Sequence, residues 1–435
     1  MKKNIYFILF LTFIINANGQ NMADNERIIT YDIDNFWVAF DKIISTKDST
    51  KQYEFINKMY IEKGSIGLKN IMIARRYTAK SYVDAINNYP LFWKSIKENT
   101  LKAKTYSNAL ESSIEKLKAV YPALKPAKIY FTIGAFRTPG TILDGNILIG
   151  SEMALGDDKT IITEFPANMA HLTPYFKSNP SKEVVFLNIH EYVHTQQKGE
   201  GGYDLLSQAL YEGIAELVAV KALDKNSPNN AIIYGKINDK KIKKVFEKEM
   251  FSNWYYNWIW NNLENEFKTR DLGYYVGYAI AEKYYDNAKD KKAAIKTLIE
   301  LDYNKPDEIE KFVDEIKYFS KSIKKLKEDF EKSRPYVVGI KEFKNGQQNV
   351  NPNISEITIQ FSEKMDKGYR SMDFGVLGKD FFPKIISAKF ADDCKSVIYQ
   401  VKFESNKQYQ FVVMDGYRNQ RAIQLKKYEI NIKTL

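Results

Sequence analysis

Histidine and cysteine are the scarce residues of this chain, three and one among 435. The lone Cys394 excludes an internal disulfide, and its setting, Asp392-Asp393-Cys394-Lys395, lacks the histidine partner a nucleophilic thiol needs. A bilayer span is also missing at the N-terminus, because the apolar run over residues 5–15 falls short of the roughly 20 residues required. With Lys2 and Lys3 before it and the small Ala17 and Gly19 after it, that run reads as a signal peptide over residues 1–19, cleaved to leave Gln20 first. No cysteine lies near the cleavage site, so a lipoprotein anchor is not expected and the destination is the periplasm or the exterior. The formal charge is +11, or +9 without the two leader lysines. No compact Lys/Arg block interleaved with aromatics accompanies it. The excess lysines sit beside acids as on a solvated helix face, which argues against nucleic acid as a partner.

What remains is a folded composition, 44% hydrophobic and 27% charged, long enough for two or three domains. Residues 29–80 and 82–121 carry mainly amphipathic helical patterns, and Lys125-Pro126 interrupts them. Two β-rich runs follow, 128–133 and 141–151, bracketed by Thr138-Pro139-Gly140 and Asp144-Gly145-Asn146, so a small sheet with a turn near Asp144 is expected. Helical spacing returns up to residue 332, with Ile309, Phe312, Val313, Ile316, Phe319, Ile323, Leu326 and Phe330 as its last apolar stripe. Beyond Pro335 the period changes to short alternating runs at 336–343, 354–361, 397–403 and 409–413, the pattern of a small β-sandwich. The expected class is therefore α+β, with a body over 20–334 and a β domain over 335–435.

Two of the three histidines fall in His190-Glu191-Tyr192-Val193-His194. On a helix entered from Ser181, with Asn179 or Ser181 as its cap, residues four apart share a face and both imidazoles reach one ion. A catalytic zinc takes a third protein ligand and keeps a position for water, at which Glu191 can point. Glu212, in Tyr211-Glu212-Gly213-Ile214-Ala215-Glu216, supplies the third ligand. The seventeen residues between His194 and Glu212 allow the first helix to end near Lys198, a turn at Gly199, Gly201 and Gly202, and a returning helix from about Asp204. Gly213 and Ala215 are small enough for the two helices to approach closely. Glu216, one turn beyond Glu212, suits a hydrogen bond from the other nitrogen of a ligand histidine. His171, between Pro166 and Pro174, has no spacing that ties it to the ion.

The segment resembles the gluzincin metallopeptidases, which include thermolysin and the zinc aminopeptidases. Glu212-Gly213-Ile214-Ala215 is similar to the aminopeptidase phrase Glu-Gly-Phe-Ala. The resemblance implies His190, His194 and Glu212 as ligands of one Zn2+ and Glu191 as the general base. It also implies Tyr274, in Tyr274-Tyr275-Val276-Gly277, as donor to the oxyanion, with Tyr275 and Tyr278 as alternatives. Gly150-Ser151-Glu152-Met153-Ala154 stands where those aminopeptidases carry a Gly-Ala-Met-Glu-Asn edge strand, so Glu152 is the candidate for binding a substrate amine, although the order differs. The layout, with a Gly-rich hairpin over 129–153 before the motif, is also similar to a family of predicted Zn-dependent proteases of bacterial envelopes related to the gliding-motility lipoproteins. The phrase Ile359-Gln360-Phe361-Ser362-Glu363-Lys364-Met365 resembles an early strand of bacterial Ig-like modules and implies a binding or spacer module, through which association with the cell envelope is expected. The expected activity is zinc-dependent peptide hydrolysis on a peptide or protein substrate, endo- or amino-. Hydrolysis of a non-peptide amide or ester, and a non-catalytic envelope scaffold or motility component that keeps the metal, are the competing readings.

Overall fold

The computed structural model describes residues 26–199, 201–261 and 265–435. The expected signal peptide over 1–19 lies outside them. The chain divides into two compact units, Met1–Gln196 and Gln197–Leu435.

In the first unit the amphipathic patterns become six helices: α1 (Tyr31–Ile44), α2 (Ser49–Ile56), α3 (Ile66–Arg75), α4 (Ala79–Asn88), α5 (Pro90–Leu101) and α6 (Ser107–Val120). Along α1 the spacing 33, 36, 37, 40, 43 puts Ile33, Phe36, Trp37, Phe40 and Ile43 on one buried face. Local chemistry sets the boundaries. Asp48 accepts the backbone N–H groups of Thr50 and Lys51 at the start of α2, Thr78 and Ser81 form a capping box on α4, and Pro90 opens α5. Phe36 packs against Tyr60 and Trp93, and the Trp93 indole donates to the Ala85 carbonyl at 2.9 Å.

These helices flank a four-stranded sheet of β1 (Ile28–Ile29), β2 (Ile129–Thr132), β3 (Gly140–Leu143) and β4 (Asn146–Gly150), in the order β1-β2-β4-β3. Strand β2 runs parallel to β1 and β4, and β3 closes antiparallel on β4. The turn between β3 and β4 falls at Asp144 and Gly145, with φ of 50° and 70°. Two successive left-handed residues match the twist of a tight hairpin. Strands β1 and β3 are the edges of the sheet, whereas β4 is flanked on both sides and runs directly into the short helix α7 (Ser151–Ala154). After α8 (Leu172–Lys177), helix α9 (Val184–His194) lies against β3, β4 and α6. It is pinned where the Tyr192 hydroxyl accepts the Ala127 N–H at 2.9 Å.

The second unit begins with α10 (Leu205–Leu223), which is buried from Leu205 to Ala219. A helix apolar on all sides belongs inside a bundle. The unit's other helices are α11 (Asn230–Phe246), α12 (Leu272–Asn287), α13 (Lys291–Ile299), α14 (Pro306–Ile316) and α15 (Ile323–Ser333), of which α12 and α13 pack against α10. The contact between α10 and α12 is made by backbone. A Cβ on Gly213 would lie 2.1 Å from the Tyr278 nitrogen, and one on Gly277 would lie 1.8 Å from the Ala209 carbonyl oxygen. The periodic stretch over 305–332 is two helices, broken where Lys317 turns left-handed at φ 53° and Ser322 caps α15.

Strands replace helices between Ser333 and Val337. Strands β5 (Val337–Ile340), β6 (Glu356–Phe361), β7 (Met372–Phe374), β8 (Lys384–Phe390), β9 (Ser396–Lys402), β10 (Gln408–Val413) and β11 (Tyr428–Lys433) form two antiparallel sheets, β5-β6-β9-β8 and β11-β10-β7. One buried cluster serves both, with Ile357, Ile359, Val397 and Tyr399 from the first and Phe411, Val413, Ile430 and Ile432 from the second. Met365, the end of the Ile-x-Phe-Ser-Glu-x-Met phrase, is buried in the same cluster. The strands are held to the helices of their unit by specific contacts. Arg334 donates to the Leu425 carbonyl at 2.7 Å, and the Arg418 guanidinium lies between the Trp254 and Tyr369 rings, 4.0 and 3.2 Å from their centroids. The architecture is α+β throughout.

Candidate metal centre

Helix α9 brings His190 and His194 onto one face, as the four-residue spacing requires. Neither expected cap is used. Asn179 has a left-handed φ of 58°, Ser181 lies in the 3-10 turn Pro180–Glu183, and Glu183 precedes the helix without a capping bond. The helix also ends at His194 rather than near Lys198. Its partner begins where expected: Asp204 accepts the Ser207 N–H at 2.8 Å and caps α10.

His190, His194 and Glu212 each offer one ligand atom, and the three atoms lie within 4.8 Å of one another. The residues are 7%, 6% and 5% exposed. The two Nε2 atoms are 3.0 Å apart. Two nitrogens bound tetrahedrally to one zinc at roughly 2.05 Å would stand about 3.3 Å apart. The histidine pair therefore needs little movement to share an ion, and two imidazoles with a carboxylate form a donor set that suits zinc.

Glu191, 8% exposed, rests on the edge strand. A Cβ on Gly140 of β3 would come within 2.9 Å of its Oε1 and 3.0 Å of its Cγ, so glycine at 140 makes room for this carboxylate. On α10, the Gln208 side chain donates to Glu212 Oε1 at 3.3 Å. Around Glu212, Tyr255, Asp271 and Tyr303 have pKa values above their ordinary range, held up first by burial and further by the charge of Glu212. Glu216 is buried and accepts a hydrogen bond from the Ser227 hydroxyl.

The three candidate tyrosines of α12 differ in their partners. Tyr275 donates to Asp239 at 2.9 Å and Tyr278 donates to Glu282 at 2.9 Å. Tyr274 accepts the Trp260 indole N–H at 3.1 Å. Gly213 packs against α12.

Glu152 also differs from its expected setting. It lies in α7 rather than on an edge strand and is fully buried, and its oxygens accept the N–H groups of Gly134 at 2.7 Å and Phe136 at 3.1 Å. Burial pushes its pKa up to about 7. Its carboxylate holds the loop between β2 and β3. His171 is exposed at the start of α8, and Cys394 sits in the turn between β8 and β9 with φ 59°. Sequence reasoning passed over Gln208 and Tyr303. The first carried a signal, a long amide one turn before a candidate ligand in an otherwise apolar helix. The second reaches the site from the loop after α13, where no local pattern marks it.

A family model described as Gliding motility protein GldB matches residues 18–257, which include every helix from α1 to α11. No curated protein matches. Among solved structures, the N-terminal part of the bacterial S-layer protein SbsC aligns at 8% identity over 93% of this chain and 77% of that one, with a TM-score of 0.19. The S-layer protein rSbsC(31-844) aligns at 10% identity over 93% of this chain and 44% of that one, also at 0.19. The chain thus spans less than half of the second structure.

Proposed function

Because the chain belongs to the gliding motility protein GldB family, we propose that it is a motility-associated protein of the cell envelope organised around one zinc ion held by His190, His194 and Glu212. The observation that carries the metal is the convergence of three buried ligand atoms within 4.8 Å. Two imidazole nitrogens and a carboxylate oxygen gathered at one buried point form a donor set that suits one shared zinc ion. The leader pattern over residues 1–19 supports export. No helix of the described residues is long and apolar enough to cross a membrane. The paired sheets after residue 336 supply a surface for envelope partners, in keeping with the resemblance of their early strand to Ig-like modules.

A second reading, hydrolysis of peptide bonds in the gluzincin manner, is favoured by Glu191. A zinc ion held by His190, His194 and Glu212 would supply Lewis-acid polarisation of the substrate carbonyl and of water. Glu191 follows a ligand directly on α9 and serves as the proton acceptor, later returning the proton to the leaving amine. The Tyr274 hydroxyl donates to the developing oxyanion.

Metal analysis of the purified protein, together with cleavage of a peptide library by wild type and Glu191→Gln, tests both readings. One zinc per chain supports the metal site. Cleavage by wild type that the substitution abolishes supports the peptidase. Zinc with equal background cleavage by both proteins leaves the motility-associated zinc protein and removes the enzyme. Absence of zinc after reconstitution removes both.

A further inference from the structure

We propose that Gln208 is the positioning residue for the metal ligand Glu212, fixing one carboxylate oxygen by hydrogen bonding so that the other is presented to the ion. The inference rests on the zinc-site reading above. It begins from an anomaly in α10, a helix buried along most of its length and built largely from Leu, Ala, Val and Ile. A primary amide buried to 3% exposure in such a helix is unfavourable unless its polar atoms are paired.

Gln208 stands one turn before Glu212, and the i,i+4 spacing puts both side chains on one face. The Nε2 group donates to Glu212 Oε1 at 3.3 Å within the protein interior. The opposite end of the amide is closed off by the turn that precedes the helix. A Cβ on Gly201, whose φ is +82°, would lie 2.3 Å from Gln208 Oε1 and 3.0 Å from its Cδ. Gly202 presses in the same way on Ser207, where a Cβ would come within 1.7 Å of the serine Cβ. The glycine turn therefore lies directly against the first turn of α10 and restricts the amide to a rotamer that points along the helix toward Glu212.

The choice of amide has chemical consequences. Glutamine donates without carrying charge, so Glu212 keeps its full negative charge for the ion, whereas a lysine or arginine at 208 would neutralise it and repel the cation. Holding one oxygen also favours binding through the other oxygen alone and lowers the ordering cost when metal arrives.

The test is zinc affinity, measured by competition with a chromophoric chelator, for wild type, Gln208→Met and Gln208→Ala. Methionine keeps the volume of the buried side chain and removes the donor. Both variants should bind zinc 10- to 100-fold more weakly, the range typical for groups that orient a ligand. The urea midpoint of metal-free Gln208→Met should stay near that of the wild type. Cobalt-loaded wild type and Gln208→Met should differ in visible absorption, because the coordinating carboxylate is released from its constraint. Equal zinc affinity and equal cobalt spectra for wild type and Gln208→Met would overturn the role of Gln208 while leaving the metal site intact. Failure of wild type itself to bind zinc or cobalt would overturn the role together with the metal reading.

Discussion

The Nε2 atoms of His190 and His194 face each other at 3.0 Å inside the protein. Two imidazoles in that arrangement share a proton or a cation, and Glu212 completes a cation's ligand set.

Removal of the ion should therefore be felt as a loss of stability. Dialysis against a strong chelator should lower the thermal unfolding midpoint, and added zinc should restore it. At free zinc about 1,000-fold above the dissociation constant the difference amounts to ~4 kcal/mol. His190→Ala should show no response to either treatment. Calorimetry with and without chelator decides the matter, and an unchanged wild-type midpoint counts against a bound metal.

The close approach of α10 and α12 makes a second prediction. Gly277→Ala should destabilise the protein by roughly 3 kcal/mol, because the new methyl meets the backbone carbonyl of Ala209, not a side chain that can swing aside. Gly339→Ala is the control, since a Cβ there meets nothing within 4 Å. Urea denaturation of the two variants should give clearly separated midpoints; coincident midpoints would mean that the helices can separate freely.

Glu152 predicts a pH dependence. Its ordinary pKa of 4.5 is raised to about 7 in the folded protein, so between those values the unfolded chain releases the proton that the native state retains. Stability should fall as pH rises through this window and level off above it. A shift of this size corresponds to about 3 kcal/mol. Glu152→Gln carries no such proton, so its stability relative to wild type should improve from pH 4.5 to pH 8, on top of a constant cost for turning an amide N–H toward a backbone donor. Parallel stability–pH curves for the two proteins would show that Glu152 does not titrate there.

Arg418 joins the loop between α11 and α12 to the β segment of the second unit through the Trp254 and Tyr369 rings and an ion pair to Asp366 at 3.3 Å. Arg418→Lys keeps the charge and loses the planar stack, and should cost about 1–2 kcal/mol. Arg418→Ala should cost more. Hydrogen exchange should speed up around residues 415–424 before it does elsewhere in the sheets. Unchanged exchange in Arg418→Ala would place the coupling in other contacts.

The parts of the fold set by short-range periodicity could be read from the chain. Helix α9 with its paired histidines, the capped start of α10 at Asp204 and the turn at Asp144-Gly145 all depend on residues within a few positions of one another. The cap of α9 was misplaced because its first turn is 3-10 and stabilised by position, not by a side-chain bond. Gly213 advertised a close contact without naming its partner, which lies more than sixty positions away in α12. Strands β7, β8 and β11 lie outside the alternating runs of the sequence; β7 is three residues long and β8 is mostly exposed, which leaves little alternation to detect in those two. Burial also defeated the expectation for Glu152. An acid in an apparent edge strand looks available to a ligand until the loop over residues 134–136 closes upon it.

Gly140 has a bearing on how related sequences should be sorted. The three ligands do not depend on it, whereas the space occupied by the Glu191 carboxylate does. A chain bearing a larger residue at the equivalent of position 140 would retain every metal-binding side chain and still turn its acid away from the ion. On the peptidase reading, a single small residue fifty positions before the histidine motif would then separate proteins equipped for hydrolysis from those that merely hold a cation, even when the motif itself reads the same.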